Sequence, residues 1–246
     1  MKTQFNSDLN HKVHKIKRNL DINEYGCVDL DIVKQKLPKL TCGSIHLSMA
    51  FSGFIYKLDN DESIIVVNGV YNKLDQRFAF AHELYHFFFS NVGKIICPKP
   101  NEKIERNPEE IRADLFASKF LLPDIDMRDY IESDFNGVVD EKTIVGIMEK
   151  YLVPLYTVLI RLKYDEFFEN DDQFDLFSKI CQPLINESEV LKPFLTKDYD
   201  CEPTIEGYYI TLCEKAYKEN RISYQKYKEL MEDGFALNKL VGEMDG

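Results

Sequence analysis

The order of apolar and polar positions predicts a chain of mixed helices and strands. Residues 5–20 carry apolar side chains at helical spacing and lysines on the remaining surface, which predicts a helix with a basic face. Residues 28–37 predict a short helix ending before Pro38, because proline pushes the preceding residue out of the helical region. Phe54 to Leu58 and Ser63 to Val70 are strand-like, and Ile64, Ile65, Val66 and Val67 favour a pleated surface. The polar stretch Asp59-Asn60-Asp61-Glu62 between them predicts a hairpin. After a break near Asn72 to Asp75, a helix is expected over 76–90. Another is expected over 109–121, with Pro108 near its first turn, where proline is tolerated, and a stop before Pro123. A third helical region, 141–162, has a helix-turn-helix-like pattern. Helical spacing returns in 174–183, 205–219 and 222–233, with Tyr208, Leu212, Cys213, Ala216 and Tyr217 on one stripe. There is no internal repeat or low-complexity tract.

Composition narrows the class. The 246 residues are 44% hydrophobic and 30% charged, which suits a chain that buries a real core and excludes wholesale disorder. Charge divides the chain. Residues 1–164 carry net −1 and residues 165–246 net −10, and the step begins at the acidic run from Asp165 to Asp172. Two units are therefore expected: 1–164, and an acidic helical unit of unassigned role over 165–246, joined by a solvated connection.

A net charge of −11 argues against direct nucleic-acid binding. The helix-turn-helix-like segment offers only Lys142, Lys150 and Arg161, offset by Glu141 and Glu149, so it reads as structural or protein-contacting. The first 20 residues are net +4, which a solvated amphipathic helix accounts for. No apolar run approaches the roughly 20 residues of a membrane helix, and no apolar signal segment follows the N-terminus, so no membrane partner is expected. The six cysteines include no C-x-x-C pair and read as reduced, mostly buried thiols of a cytoplasmic protein.

The chemistry concentrates in His82-Glu83-Leu84-Tyr85-His86. Four residues turn an α-helix by about 400°, so His82 and His86 project from nearly one side, a turn apart, and can share one Zn²⁺. Glu83 lies about 100° round the helix, too far to join them as a ligand but placed to act as general base on a water. Hydrogen-bonded core histidines would give the same letters. The rest of the helix is apolar, however, including Phe78, Ala79, Phe80, Ala81, Leu84, Phe87, Phe88 and Phe89, so it should be buried. Unpaired buried polar groups cost about 1–3 kcal/mol each, and a metal would satisfy all three residues together.

A catalytic zinc wants a third protein ligand and an open position. Glu110 and Asp114, four apart on the next helix, share a face. Glu110 can bind the metal while Asp114 accepts the second N–H of a ligating histidine and fixes its tautomer. Glu109 competes for the ligand role from a different face, and the facing requirement favours Glu110.

The stretches Arg77-Phe78-Ala79-Phe80-Ala81-His82-Glu83-Leu84-Tyr85-His86 and Glu110-Ile111-Arg112-Ala113-Asp114-Leu115-Phe116-Ala117-Ser118-Lys119-Phe120-Leu121-Leu122-Pro123 resemble the ImmA/IrrE family of zinc metallo-endopeptidases. The resemblance extends over residues 28–163 and includes Ile64 to Asn68 and the region ending in Ile160-Arg161-Leu162. It implies a gluzincin-like site, with His82, His86 and Glu110 as zinc ligands, Glu83 as catalytic base and Asp114 behind a ligand. The implied fold is α+β: a small mixed or antiparallel sheet packed on a zinc-binding helix pair, followed by the helix-turn-helix-like segment and a helical C-terminal region. The strand ending in Asn68 would be the edge on which an extended peptide pairs. Tyr85 stands where the family usually has glycine, and could narrow the cleft or offer a hydroxyl to the substrate. The implied substrate is a protein regulator, a helix-turn-helix transcription repressor of a mobile element or stress response.

Three further expectations follow from residue type. Tyr85, Tyr71 and His46 are available as a second oxyanion donor. Arg77 is expected to pair with Asp75 or with an acid of the next helix. The rival to proteolysis is a regulatory or toxin-like binding module that keeps the zinc site without cutting.

Overall fold

The computed structural model describes residues 2–58, 60–91, 93–98, 107–168, 170 and 172–234. Asp59 of the expected turn, Glu169 and Asp171 of the acidic run, the Lys2 side chain and residues 235–246 lie outside the described residues.

The chain opens with helices α1 (Lys2–Asn19) and α2 (Leu30–Lys36), followed by strands β1 (Leu40–Ile45), β2 (Phe51–Lys57) and β3 (Ser63–Asn68). Helix α3 (Lys73–Phe89), strand β4 (Lys94–Pro98) and helix α4 (Pro108–Leu121) carry the candidate chemistry. Helices α5 (Asp124–Phe135), α6 (Glu141–Tyr151), α7 (Leu155–Tyr164), α8 (Asp172–Ile180) and α9 (Gln182–Glu187) follow. A short 3₁₀ turn (Lys192–Phe194), strand β5 (Thr204–Gly207) and helices α10 (Tyr208–Lys218) and α11 (Tyr224–Gly234) complete the described chain. The fold is α+β.

The sheet order is β4-β2-β3-β1-β5. β1 runs parallel to β3, and the other pairings are antiparallel. β2 and β3 form the expected hairpin, with Ile55 opposite Ile65. β3 is the central strand, which corrects its expected place at an edge. Its run Ile64-Ile65-Val66-Val67 is apolar on both faces, as a strand covered on both sides requires, and both of its hydrogen-bonding edges are taken by β1 and β2. β4 forms one rim of the sheet.

Helix α3 packs across β2 and β3 and against α4. Asn72 caps α3 by accepting from the Asp75 N–H, and Asn107 caps α4 by accepting from the Glu109 N–H, with Pro108 in the first turn. The helical region expected at 141–162 is two helices, α6 and α7, at 115° to each other. Leu152 ends α6 in the left-handed conformation, and the pair has helix-turn-helix geometry. Its apolar faces join the core, and no single described helix is long and apolar enough to cross a membrane.

The chain beyond residue 164 shares this framework. β5 pairs with β1, and Phe177, Cys181, Ile185 and Leu191 belong to the same hydrophobic cluster as α3 and α4. The side chain of Asp165, expected at the start of a solvated connection, is buried instead. Its carboxylate accepts from Arg161 Nε at 3.0 Å and pairs with Lys119 Nζ at 3.4 Å. Arg161 is fully buried, and it also binds Asp124 and the Leu122 carbonyl, so it is held among fixed acceptors. Among the described residues Arg77 makes no ion pair of the expected kind. It donates from Nε to the Leu152 carbonyl at 2.9 Å and from its terminal nitrogen to the Val28 carbonyl at 2.8 Å, tying two loops to α3.

Candidate metal centre

The site is built on two apolar helices. Residues Phe78 to His86 of α3 are all buried, as are Ala113 to Leu121 of α4, so the polar groups between the helices must satisfy one another. His82 Nε2 lies 3.2 Å from Glu110 Oε2, and His86 Nε2 lies 3.4 Å from Glu110 Oε1. The two imidazoles, one helical turn apart, therefore face one carboxylate from α4. Each ring is oriented from behind. His82 Nδ1 donates to Asp114 Oδ1 at 2.8 Å, and the other Asp114 oxygen accepts from the Tyr156 hydroxyl at 3.1 Å. His86 Nδ1 is 3.1 Å from Ser90 Oγ, at the residue that caps the C-terminal end of α3. With Nδ1 engaged in each ring, Nε2 is left as the metal-facing atom.

Cys97 of β4 completes the cluster. One ligand atom each from His82, His86, Cys97 and Glu110 lie within 4.8 Å of one another. Cys97 is fully buried and pairs across the sheet with Gly53, where the β2–β4 register is irregular. Gly53 is required by close approach. A Cβ there would lie 2.6 Å from the Val66 carbonyl oxygen and 3.4 Å from Glu83 Oε1.

Glu83 has 0% exposure, and neither of its carboxylate oxygens has a conventional hydrogen-bond partner, although the Cys97 thiol, a weak donor, interacts with it. His86 Nε2 is likewise buried without a proper hydrogen bond. Such orphans are uncommon in native interiors and point to a group that completes them.

Electrostatics follow the geometry. Burial pushes the Glu83 carboxyl up to about 7, with His82 pulling the other way. Burial works to lower His82, but hydrogen bonds to Asp114 and Glu110 outweigh it and raise the imidazole to about 10. Glu110 is held well below the usual carboxylate range, because hydrogen bonds from both histidines overcome its burial. Burial, and then the neighbouring Glu83 charge, raise the Cys97 thiol well above its ordinary value. These values belong to the metal-free chain, and a divalent cation among the donors favours the deprotonated form of each ligand.

The donor set, the orphaned atoms and the oriented rings all fit a metal ion. The decisive comparison is with protein families: residues 48–163 match the model described as the IrrE N-terminal-like domain, a family of metallopeptidases. Over those residues the chain is similar to an IrrE N-terminal-like domain. The matched segment begins just before β2 and ends at Lys163 of α7, so it contains every residue of the site described above. α1, α2, β1 and everything after Lys163 lie outside it. The family model thus starts 20 residues later than the resemblance seen in the sequence. No curated protein matches the chain.

Within the matched segment the structure brings His82, Glu83, His86, Glu110 and Asp114 together. Asn68 and Tyr85, expected at the substrate, are engaged by other groups of the chain, and the Tyr85 ring lies edge-on to His86, with centroids 5.4 Å apart. Asn68 has 0% exposure, and its side chain is spent on the backbone: Oδ1 accepts from the Leu47 and Val70 N–H groups, and Nδ2 donates to the Leu47, Ser48 and Phe51 carbonyls. It ties the β1–β2 loop to the end of β3 and offers nothing to a peptide. Tyr85 packs against Phe89 and Phe116 and donates its hydroxyl to Glu109 Oε1 at 3.1 Å. Glu109, the rival ligand, is thereby occupied away from the histidines. Burial and that carboxylate push the Tyr85 phenol up to about 12. Tyr71 is spent on the Met49 carbonyl, and His46 is exposed. Sequence reasoning missed Cys97, Ser90, Gly53 and Tyr156. Cys97, Gly53 and Tyr156 come from other elements, which no spacing rule connects to the histidines, whereas Ser90 stands four residues after His86 and was open to the same i,i+4 reading.

Proposed function

We propose that the chain is a zinc endopeptidase acting in the cytoplasm on a protein regulator. The observation that carries the proposal is the convergence of His82, His86 and Glu110 beside a buried Glu83 whose oxygens lack a conventional hydrogen bond. His82, His86 and Glu110 would hold the ion, and two nitrogens with one carboxylate suit zinc. Zinc at this position supplies Lewis acidity toward the peptide carbonyl and toward the attacking water. Glu83 does the proton work. It takes the proton from the water as the carbonyl is attacked and delivers it to the leaving amine. Asp114 and Ser90 hold the two rings in the tautomers that keep Nε2 free.

The substrate reading uses β4. Among the described strands it forms the rim nearest the donors, and an extended peptide adding to its outer edge would pass over them. The family resemblance supports a helix-turn-helix repressor as the natural substrate. The acidic residues 165–246 favour a basic patch on that partner, whose recruitment weakens as salt rises. Six free cysteines fit a reducing compartment.

One observation favours the second reading, a binding module that keeps its metal without cutting. Cys97 is a possible fourth donor, at the position a catalytic zinc leaves open. Co-expression with candidate repressors, followed by mass spectrometry, separates the readings. Proteolysis predicts fragments with the native chain and none with Glu83→Gln. A Glu83→Gln chain that binds zinc, folds and keeps its biological effect supports the binding module.

A further inference from the structure

We propose that Cys97 is the fourth ligand of the ion held by His82, His86 and Glu110, so that the metal-loaded chain rests with its water position closed. The inference rests on the metal-site reading above and concerns how that site is regulated. A cysteine packed only for its apolar character faces hydrocarbon. This one has its ligand atom inside the same 4.8 Å cluster as those of His82, His86 and Glu110, with the Glu83 carboxylate beside it. Two nitrogens, one oxygen and one sulfur complete a tetrahedral shell, the closed geometry of structural zinc sites. The second observation does not involve the thiol: His86 Nε2, which faces Glu110, is buried without a proper hydrogen bond.

The backbone holds the thiol in place. Cys97 pairs with Gly53, and its carbonyl accepts from Ser52 Oγ at 3.3 Å. The missing side chain at Gly53 leaves the space that Glu83 occupies. To bind as a ligand the thiol must give up its proton, and the Glu83 carboxylate beside it is the acceptor at hand. The S–H bond breaks, a sulfur–metal bond forms, and Glu83 becomes a neutral acid. One contact thus fills the open coordination position and occupies the general base. Opening the site requires only that a thiolate on an edge strand be displaced, with both helices left intact.

The test is zinc X-ray absorption on the full chain, compared with Cys97→Ala and Cys97→Ser. The expected result is one sulfur per zinc at about 2.3 Å in the native chain and none in either variant, each still holding zinc through nitrogen and oxygen. Cobalt-substituted protein gives a second readout: acetohydroxamate should shift the visible spectrum of Cys97→Ala and leave the native spectrum unchanged. A native spectrum with only nitrogen and oxygen neighbours, or an equal hydroxamate shift in the native chain, overturns the proposal and leaves the peptidase reading standing. A native chain that binds no zinc overturns both. If either variant fails to fold, the native spectrum alone decides, since no other described cysteine lies in the cluster.

Discussion

At the scale of single residues, Glu83 is a carboxyl buried at 0% exposure in the metal-free chain, and burial raises its pKa. Its carboxyl titrates near 7 in the fold and near the ordinary 4.5 when unfolded, so the folded state binds more protons between those values. Its contribution to stability is therefore fully present below pH 4.5 and is lost as pH rises toward 7. The shift corresponds to about 3 kcal/mol. Thermal melts of the chelator-treated protein should show Glu83→Gln more stable than native at pH 7.5, with the difference fading by pH 4.5. A constant difference across that range would contradict this account. Asp114 makes a second residue-level prediction. Because it orients the His82 ring, Asp114→Ala should weaken zinc binding by about 10–100-fold, measured by competition with a chromogenic chelator, and Ser90→Ala should act in the same direction. Gly53→Ala should cost about 1–3 kcal/mol in denaturant unfolding, because the added methyl meets the Val66 carbonyl. His82, Glu83, His86, Glu110 and Asp114 were legible in the sequence because helical spacing alone sets which of them share a face. Cys97 and Gly53 were not, because their meeting depends on the pairing of β2 with β4.

At the scale of elements, the sheet order decides what each strand can do. β3 has no free edge, and Asn68 at its end serves the β1–β2 loop. Asn68→Ala strands the backbone groups it serves and should lower unfolding free energy by about 1–3 kcal/mol or more, with zinc stoichiometry unchanged. Loss of zinc without loss of stability would instead place Asn68 in the site. The hairpin β2–β3 and the helices α3 and α4 were readable from period and caps. β1 was not, since Leu40-Thr41-Cys42-Gly43-Ser44-Ile45 is short, contains glycine and lacks alternation. The four-residue β5 is too short to carry a period, and its place is set by β1, more than 150 residues earlier in the chain. α5 escaped notice because it follows Pro123 directly and its apolar positions are sparse.

At the scale of the whole molecule, the matched segment does not account for the full core. Phe177, Cys181, Ile185 and Leu191 bury apolar surface outside the matched segment, and β5 extends the sheet. Each such side chain is worth roughly 1.5–3 kcal/mol, against a total stability of about 5–15 kcal/mol for a typical domain. A chain truncated after residue 164 should therefore lose its cooperative melt, as read by near-ultraviolet circular dichroism, and a native-like transition would show that the remaining core suffices. The charge step at residue 165 was visible in composition, while the sharing of core and sheet across it was not, because charge reports on surface and says little about what lies beneath. The central claim is that one metal ion is held between α3 and α4. Elemental analysis of the purified chain beside Glu110→Ala tests it most directly. The account predicts one zinc per native chain and a large loss in the variant, whereas a native chain without stoichiometric metal, or a variant that retains it fully, would contradict it.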